Sequence, residues 1–423
     1  MANEYGQGGT LMLIKIAYRN IWRNKRRTFF CLAAVGFAVF FIAFYGGFID
    51  GFTRNINEIV QIFDTGHVRV VSAEFEADSE FMPVQFPVSD GEDAESLIAR
   101  IKTVPGVRAV LPRIETFASL HENVIRHAML WGLDVEQEMA LNNFNLINRN
   151  DGLIEGHWPR PGSNDAVIGW SLAQRTGLSV GDFIPLSTIS AQFSDRPWEP
   201  RITGIFAFDY MRFDDNYIIV DFQRLQRLLV LDGGTQQLVI FADNDRLSPS
   251  VAARVQLLLG EGDVVRDWQD NFWVAVMQVA RPLYTFIYLI FLVVACLLII
   301  NTVVMIIHER IKEIGMMGSL GMSRREIVTV FFFESVFMSA IGAFAGVVAG
   351  GIVTAIGQVF PFRWTDMTGG TFAQFPASDA VFLSFSIASL VQAWVMGVIV
   401  ASVFTLIPSL KSAFVEPVEA LRR

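Results

Sequence analysis

Four stretches of this chain are long and apolar enough to cross roughly 30 Å of hydrocarbon, and they constrain every other feature of its fold. They run from Thr28 to Ile49, Pro282 to Ile307, Ile327 to Phe362 and Ala380 to Leu410, and Glu334 is the one charge inside them. One such stretch would suit the buried helix of a soluble core, but four with hardly a charge read as spans. Charged residues still make up 18% of the chain, too many for full immersion in lipid, so a sizeable part must lie in water. The first stretch is too long for a cleaved signal peptide and has no small-x-small site before Asp50, so it is expected to persist as an anchor.

Lys and Arg in short flanks resist translocation and set the orientation. The N-terminal flank holds Lys15, Arg19, Arg23, Lys25, Arg26 and Arg27 against the acid Glu4, the loop between the second and third stretches holds Arg310, Lys312, Arg324 and Arg325, and the tail holds Lys411, Arg422 and Arg423. All three are expected on the cytoplasmic side. Between Asp50 and Arg281 stand 33 acids and 19 Arg or Lys, a net of −14 that leaves +5 for the remainder, so this block is expected outside. Both cysteines, Cys31 and Cys296, fall in the spans, and a domain of about 230 residues can bury a core without disulfides.

Ahead of the first span, Leu11, Ile14, Tyr18, Ile21 and Trp22 recur at helical spacing opposite Lys15, Arg19, Arg23 and Arg26, as in a helix lying in the interface. The helical period persists past the membrane through Phe52, Ile56, Ile59, Val60 and Phe63, and Trp268 to Arg281 repeats it before the second span, so two stalks are expected. Between them, strand patterns occur at His67 to Val71, Ala128 to Gly132, Ala166 to Ile168, Arg201 to Phe206, Tyr217 to Val220 and Leu238 to Phe241. A helix, glycine turn and strand recur at Ala94 to Leu111 and Ser250 to Val265, a weak internal duplication. Asp151 to Phe208, rich in Gly, Pro and Trp, reads as a β-rich subdomain of its own.

Catalytic and metal-binding patterns are few. No G-x-x-x-x-G-K-[ST] occurs and no Gly precedes a Lys, so these residues form no P-loop. His121-Glu122 with His127 imitates a zinc-protease helix, but histidines six apart do not share a helix face. Gly169-Trp170-Ser171 lacks the second glycine of a nucleophile elbow and reads instead as a helix start with Ser171 as its cap. Glu334 lies nine positions past Arg325, where snorkelling or pairing with Arg324 or Arg325 explains it better than a proton relay. Gly342, Gly346 and Gly350 form a small-xxx-small stripe for close helix packing. Phe37, Phe40, Phe41, Phe44 and Phe48 either line a greasy pocket for acyl chains or face lipid or core.

The loop from His308 to Glu326 is short and dense. Gly315, Gly318 and Gly321 permit sharp turns, and Met316, Met317, Leu320 and Met322 make a compact apolar knob, so the loop is either a docking knob or a tight connector. A resemblance decides between them. Asn301 to Arg310, Glu313-Ile314-Gly315 and Leu320-Gly321-Met322-Ser323-Arg324-Arg325-Glu326-Ile327 resemble the signature of FtsX-like ABC transporter permeases. Tyr18 to Thr28 resembles that family's entry segment, and Glu416 to Arg422 its tail. Val104-Pro105-Gly106-Val107 with Pro112-Arg113, Trp131 to Asp134, and Ile168-Gly169 with Leu172-Ala173 and Val180-Gly181-Asp182 are most similar to the lipoprotein-releasing LolC/LolE type within the MacB-like superfamily.

The resemblance implies a polytopic α-helical membrane protein with four transmembrane helices and a large α+β extracytoplasmic domain of MacB/Lol type inserted between the first two. Its expected division is an interfacial helix over 1–27, span and stalk 28–63, periplasmic domain 64–267 (porter 64–150 and 209–267, sabre 151–208), stalk and span 268–307, coupling helix 308–326, spans 327–360 and 380–410 around an outer loop 361–379, and a tail 411–423. It implies docking on ABC ATPase subunits through Arg310, Glu313, Gly315, Met316, Leu320, Gly321, Met322, Ser323 and Arg324. ATP and Mg would sit on that partner, with no cofactor bound by this chain and no nucleic acid. The other implied partners are a second permease subunit, identical or homologous, membrane lipids, a lipoprotein substrate and a LolA-type periplasmic carrier, to which a hairpin near Ser190 to Trp198 is a candidate contact. The location implied is the bacterial inner membrane. Two alternatives stand beside lipoprotein release: MacB-like export or sensing of antimicrobial peptides or macrolides, and FtsX-like regulation of a cell-wall hydrolase.

Overall fold

The computed structural model describes residues 15, 17–19, 25–122, 124–141, 152–309, 316–317, 319, 321–363, 378 and 380–413. They fall into two units, one of Met1–Phe52, Ala280–Pro361 and Phe382–Arg423, the other of Thr53–Val279 and Phe362–Val381. The first long helix, α1 (Lys25–Ile59), contributes to both and continues as a π-helical turn, Val60–Thr65. The apolar period through Phe63 thus marks a continuous helix, although the change of hydrogen-bond register at its end has no signature in that period.

In the larger unit, eleven strands form one sheet: β1 (Val68–Ser72), β2 (Val107–Glu122), β3 (Val124–Leu133), β4 (Leu153–Gly156), β5 (Asp165–Gly169), β6 (Leu186–Ile189), β7 (Asp195–Trp198), β8 (Arg201–Phe206), β9 (Tyr217–Asp221), β10 (Gln237–Ala242) and β11 (Asp263–Asp267). Their order is β11-β1-β10-β2-β3-β9-β5-β8-β4, with β6 joined to β2 and β7 to β6. The β3–β9 and β5–β8 pairs are parallel. Every strand pattern read from the sequence falls on one of these strands, because each has a buried side that alternation reveals: Val68 and Val70 lie opposite Ile240 and Leu238, and all four are fully buried. The stretch 151–208 supplies β4 to β8, and β5 hydrogen-bonds to β9, so the sheet runs through it unbroken.

Three of the helices that pack on the sheet shape its two main aliphatic clusters. α2 (Ala94–Ile101) starts at Asp93, whose carboxylate accepts from Ser96 N, and α3 (Phe222–Leu229) starts at Asp221, which accepts from Arg224 N. With α4 (Ser248–Leu259), α2 closes a core of Leu97, Ile101, Val251 and Val255 with Val68 and Val70 of β1 and Leu238 and Ile240 of β10, so the two helix-turn-strand repeats share one hydrophobic cluster. Each such side chain contributes about 1.5–3 kcal/mol on burial. A second cluster lies under α3, and a third is aromatic, with Trp131, Phe206, Phe208, Tyr210, Phe213 and Tyr217 packed around Phe63. Beside it, Arg113 and Glu138, 0% and 1% exposed, form a bidentate pair at 2.7 and 3.0 Å, with the guanidinium 5.2 Å from the Trp131 ring centroid.

Asp214 accepts from Phe208 N at 2.9 Å, yet burial pushes its pKa up to about 7 from the ordinary 3.8, helped by Asp209 and Asp215. A carboxyl raised on folding stabilises the fold fully below about pH 4 and loses that contribution as pH rises toward about 7. The larger unit is therefore expected to melt lower at pH 8 than at pH 5, with on the order of 3 kcal/mol at stake. Asp214→Asn should flatten the difference in tryptophan-fluorescence melts; an unchanged pH dependence in the variant would refute the assignment.

In the membrane unit, α5 (Phe272–Glu309), α6 (Arg324–Val359) and α7 (Ile387–Ala413) join α1 as the four helices long and apolar enough to span. The fourth span begins at Ile387 rather than Ala380, because Ala380–Val381 pairs as a short ribbon with Phe362–Arg363 and the next five residues are neither helix nor strand. Of the interfacial segment 1–27, residues 15 and 17–19 are helical; the remainder before Lys25 lies outside the described residues.

Candidate functional site

Ahead of α6, Gly321 turns the chain at φ +94° and Met322 N donates to Met317 O at 3.1 Å. Ser323 then caps α6 reciprocally: its backbone N–H and hydroxyl donate to the Glu326 carboxylate at 2.8 Å each, and its oxygen accepts from Glu326 N. Met317 and Met322 tuck against Val35, Ile327 and Phe331, whereas Met316 is 53% exposed. The knob is thus anchored by two methionines and presents a third. Arg324 is exposed at the first turn of α6, while Arg310, Glu313, Gly315 and Leu320 lie outside the described residues.

Above this turn, the glycine stripe of α6 lies on α1. A Cβ on Gly342 would come 2.9 Å from Leu32 O, one on Gly350 2.8 Å from the Ala43 Cβ, and one on Gly346 would strike the Gly36 carbonyl with Phe40 N 3.0 Å away. The opposing glycine, Gly36, escaped the sequence reading although Gly36, Phe40, Ala43 and Gly47 share one helix face. α7 closes the third side through Gly397, where a Cβ would strike Val39.

The phenylalanines of α1 form a ladder. Ring centroids are 4.8 Å apart for Phe37–Phe41, 5.6 Å for Phe40–Phe41 and 6.2 Å for Phe40–Phe44, and Phe41 stacks on Phe291 of α5 at 5.7 Å. Phe37 is 60% exposed and Phe40, Phe41, Phe44 and Phe48 are half-buried, so the ladder offers an aromatic wall to whatever lies beside it. Glu334 is 1% exposed on α6, buried within the protein.

Where the two stalks enter the larger unit, polar groups tie them together. Asn271 Nδ2 donates to Asp64 Oδ2 at 2.6 Å, Arg69 reaches the other Asp64 oxygen at 3.8 Å, and Arg69 Nε donates to Gln237 Oε1 at 2.9 Å. Phe63, in the π turn, sits 4.6 Å from Phe213 and 5.1 Å from Phe208 between ring centroids. Beside this plug lies a cavity of about 400 Å³, lined by Phe63, Asp64, Glu115, Arg212, Tyr217 and Trp273 among others. Tyr217 donates to Glu115, whose carboxyl is pushed up by burial, and Tyr210 is raised to about 12 by the same cause.

Two weaker patterns resolve differently. His121 and His127 fall on the β2 and β3 arms of a hairpin, not on a helix, and no metal-holding group occurs among the described residues. The helix at Trp170–Thr176 starts from Gly169 without any side-chain cap, so Ser171 lies inside its first turn instead of opening it. Gly169 is required there because a Cβ would strike the Asp214 carbonyl.

Comparison with known proteins adds the following. Residues 28–258 match the model of the MacB-like periplasmic core domain, and residues 285–417 that of the FtsX-like permease C-terminal. The lipoprotein-releasing system transmembrane protein LolC of Xylella fastidiosa is 23% identical over 351 residues, covering 78% of this chain and 81% of that protein. The macrolide export ATP-binding/permease protein MacB of Campylobacter fetus is 29% identical over 123 residues, 29% of this chain and 16% of that one. The crystal structure of the periplasmic region of MacB from Actinobacillus actinomycetemcomitans aligns with a TM-score of 0.34 at 12% identity, over 50% of this chain and 91% of the other.

Proposed function

The chain belongs to the FtsX-like permeases with a MacB-like periplasmic core, ABC transporter subunits of the bacterial inner membrane, and from that membership we propose that it extracts lipoproteins from the outer leaflet, powered by separate ATPase subunits. The observation that carries this reading is the reach of the LolC likeness, which runs through spans and periplasmic core alike. The MacB likeness spans a much shorter stretch. In this scheme the termini and the 308–326 coupling loop are cytoplasmic, ATP and Mg act on the ATPase, and a second permease subunit completes the pair. The porter (64–150 and 209–267) and sabre (151–208) divide the outer domain, and a LolA-type carrier receives the product.

The geometry supports a mechanical route. Met316 would seat in the ATPase, and the capped start of α6 would pass its movement to α1 through the glycine seam. The stalk roots would carry it to the sheet. The Phe37 to Phe48 ladder would receive acyl chains, which hold to the bilayer by about 0.8 kcal/mol per CH₂, a sum large enough to need ATP and a receiver.

Proteoliposomes holding this chain, its ATPase and a fluorescent triacylated lipoprotein test the reading: ATP should release the lipoprotein to an added carrier, and a non-hydrolysable analogue should not. ATPase activity stimulated only by macrolide or peptide, or a stimulated cell-wall hydrolase without release, would overturn it. Met316→Asp buries a charge at the docking face and should lower lipoprotein-stimulated hydrolysis by about tenfold or more. Undiminished stimulation would remove the loop from the docking role. Met316 is a cleaner site than Gly321, where any side chain is strained by the positive φ.

A further inference from the structure

The segment after the ribbon, Phe382 to Ser386, is neither helix nor strand and belongs to the membrane unit. Irregular backbone at membrane depth survives only when its polar groups are paired. Here Leu383 N donates to Gly357 O of α6 at 3.0 Å, and Ser384 N donates to Gly47 O of α1 at 2.9 Å. Glycines make the approach possible. A Cβ on Gly51 would strike Phe382 O and lie 3.0 Å from Ser384 N, one on Gly47 would lie 2.9 Å from Ser384 O, and one on Gly357 would meet the Leu383 side chain. Neighbouring Gly46, by contrast, faces open space. Ser384 is 6% exposed and Leu383 8%, so the segment is inlaid between the two helices.

We propose that Phe382–Ser386 is a strap that clasps the outer ends of α1 and α6, and that its release from Gly47 is a step of the transport cycle. Its backbone N–H groups bond to two different helices, Leu383 N to α6 and Ser384 N to α1, so a change in the spacing of α1 and α6 here must break one of these bonds, and while both hold they fix that spacing where an outer-leaflet lipid would approach. The second half of the statement rests on the ABC permease reading; the clasp itself does not.

The test uses the full chain in nanodiscs, with Cys31 and Cys296 replaced by Ala and Ser384→Cys as a reporter read with a membrane-impermeant maleimide. Without nucleotide the thiol should label slowly. Gly51→Ala should prop the strap out and speed labelling by at least about tenfold, while Gly46→Ala should leave the rate unchanged. Equal rates in Gly51→Ala and Gly46→Ala would overturn the clasp. In the complex with its ATPase, trapping with ATP and vanadate should raise labelling of the otherwise unaltered reporter to the Gly51→Ala rate. If Gly51→Ala exposes the thiol and trapping does not, the strap is fixed and the cycle step is refuted. If the ATPase never associates, the permease reading fails while the clasp result stands.

Discussion

Gly346→Val is expected to cost the membrane unit at least about 3 kcal/mol and to leave little monodisperse protein in detergent. The reason is local and steric. The first atom of any side chain at 346 would strike the Gly36 carbonyl, and Phe40 N lies 3.0 Å from the same point, so neither obstacle is a flexible chain end that can swing aside. Helices in lipid gain no hydrophobic drive toward each other and adhere through such close packing. Separating α1 from α6 by even an ångström also loosens Val35 and Val39 from Phe331 and Ala343. Phe344→Leu on the same helix, at a position 62% exposed, should be tolerated. Size-exclusion profiles and thermal aggregation of the two variants decide the matter, and a well-behaved Gly346→Val protein would mean that the seam is not close-packed.

Glu138→Ala should destabilise the larger unit by about 3–5 kcal/mol, because it strands a fully buried guanidinium. Arg113 already has one nitrogen, Nη1, without a partner, so the remaining groups around it have little capacity to compensate. The paired replacement Arg113→Met with Glu138→Leu should restore most of the loss, since an apolar pair of similar volume avoids the desolvation of two charges. Denaturant unfolding followed by tryptophan fluorescence, with Trp131 beside the pair, reads both outcomes. A Glu138→Ala protein as stable as the parent would show that Arg113 finds another acceptor.

The sequence made the spans and most strands legible because each is governed by one periodic burden. An apolar run has to meet lipid, and an alternating run has one face on a core. Helix α3 shows what was passed over despite being readable: Asp221 caps it and Phe222, Leu225 and Leu229 recur on one face, yet its eight residues are easily taken for a loop. The full length of β2 was missed for another reason. Beyond Leu111 it carries Pro112, Arg113 and Glu115, polar or strand-breaking residues whose burial depends on Glu138, Gln236 and Tyr217 from distant parts of the chain. Ion pairs and hydrogen bonds of that kind leave no mark in a local window.

The same limit explains the site. The knob ahead of α6 is legible as composition, since glycines and methionines in a short basic loop are unusual, but which methionine anchors and which is presented depends on packing against α1. The strap was invisible, because Gly47 and Gly51 announce only that something approaches closely. That the visitor is an irregular segment more than 330 positions away follows from the tertiary fold alone.

The π turn at Val60–Thr65 holds one residue more per hydrogen-bonded ring than the α-helix that feeds it. Rewinding it to α geometry would swing everything beyond by about 100° and lengthen the rod by about 1.5 Å. If α1 turns during the proposed cycle, this change of register is the slack to be taken up before Phe63 would leave its ring of aromatics.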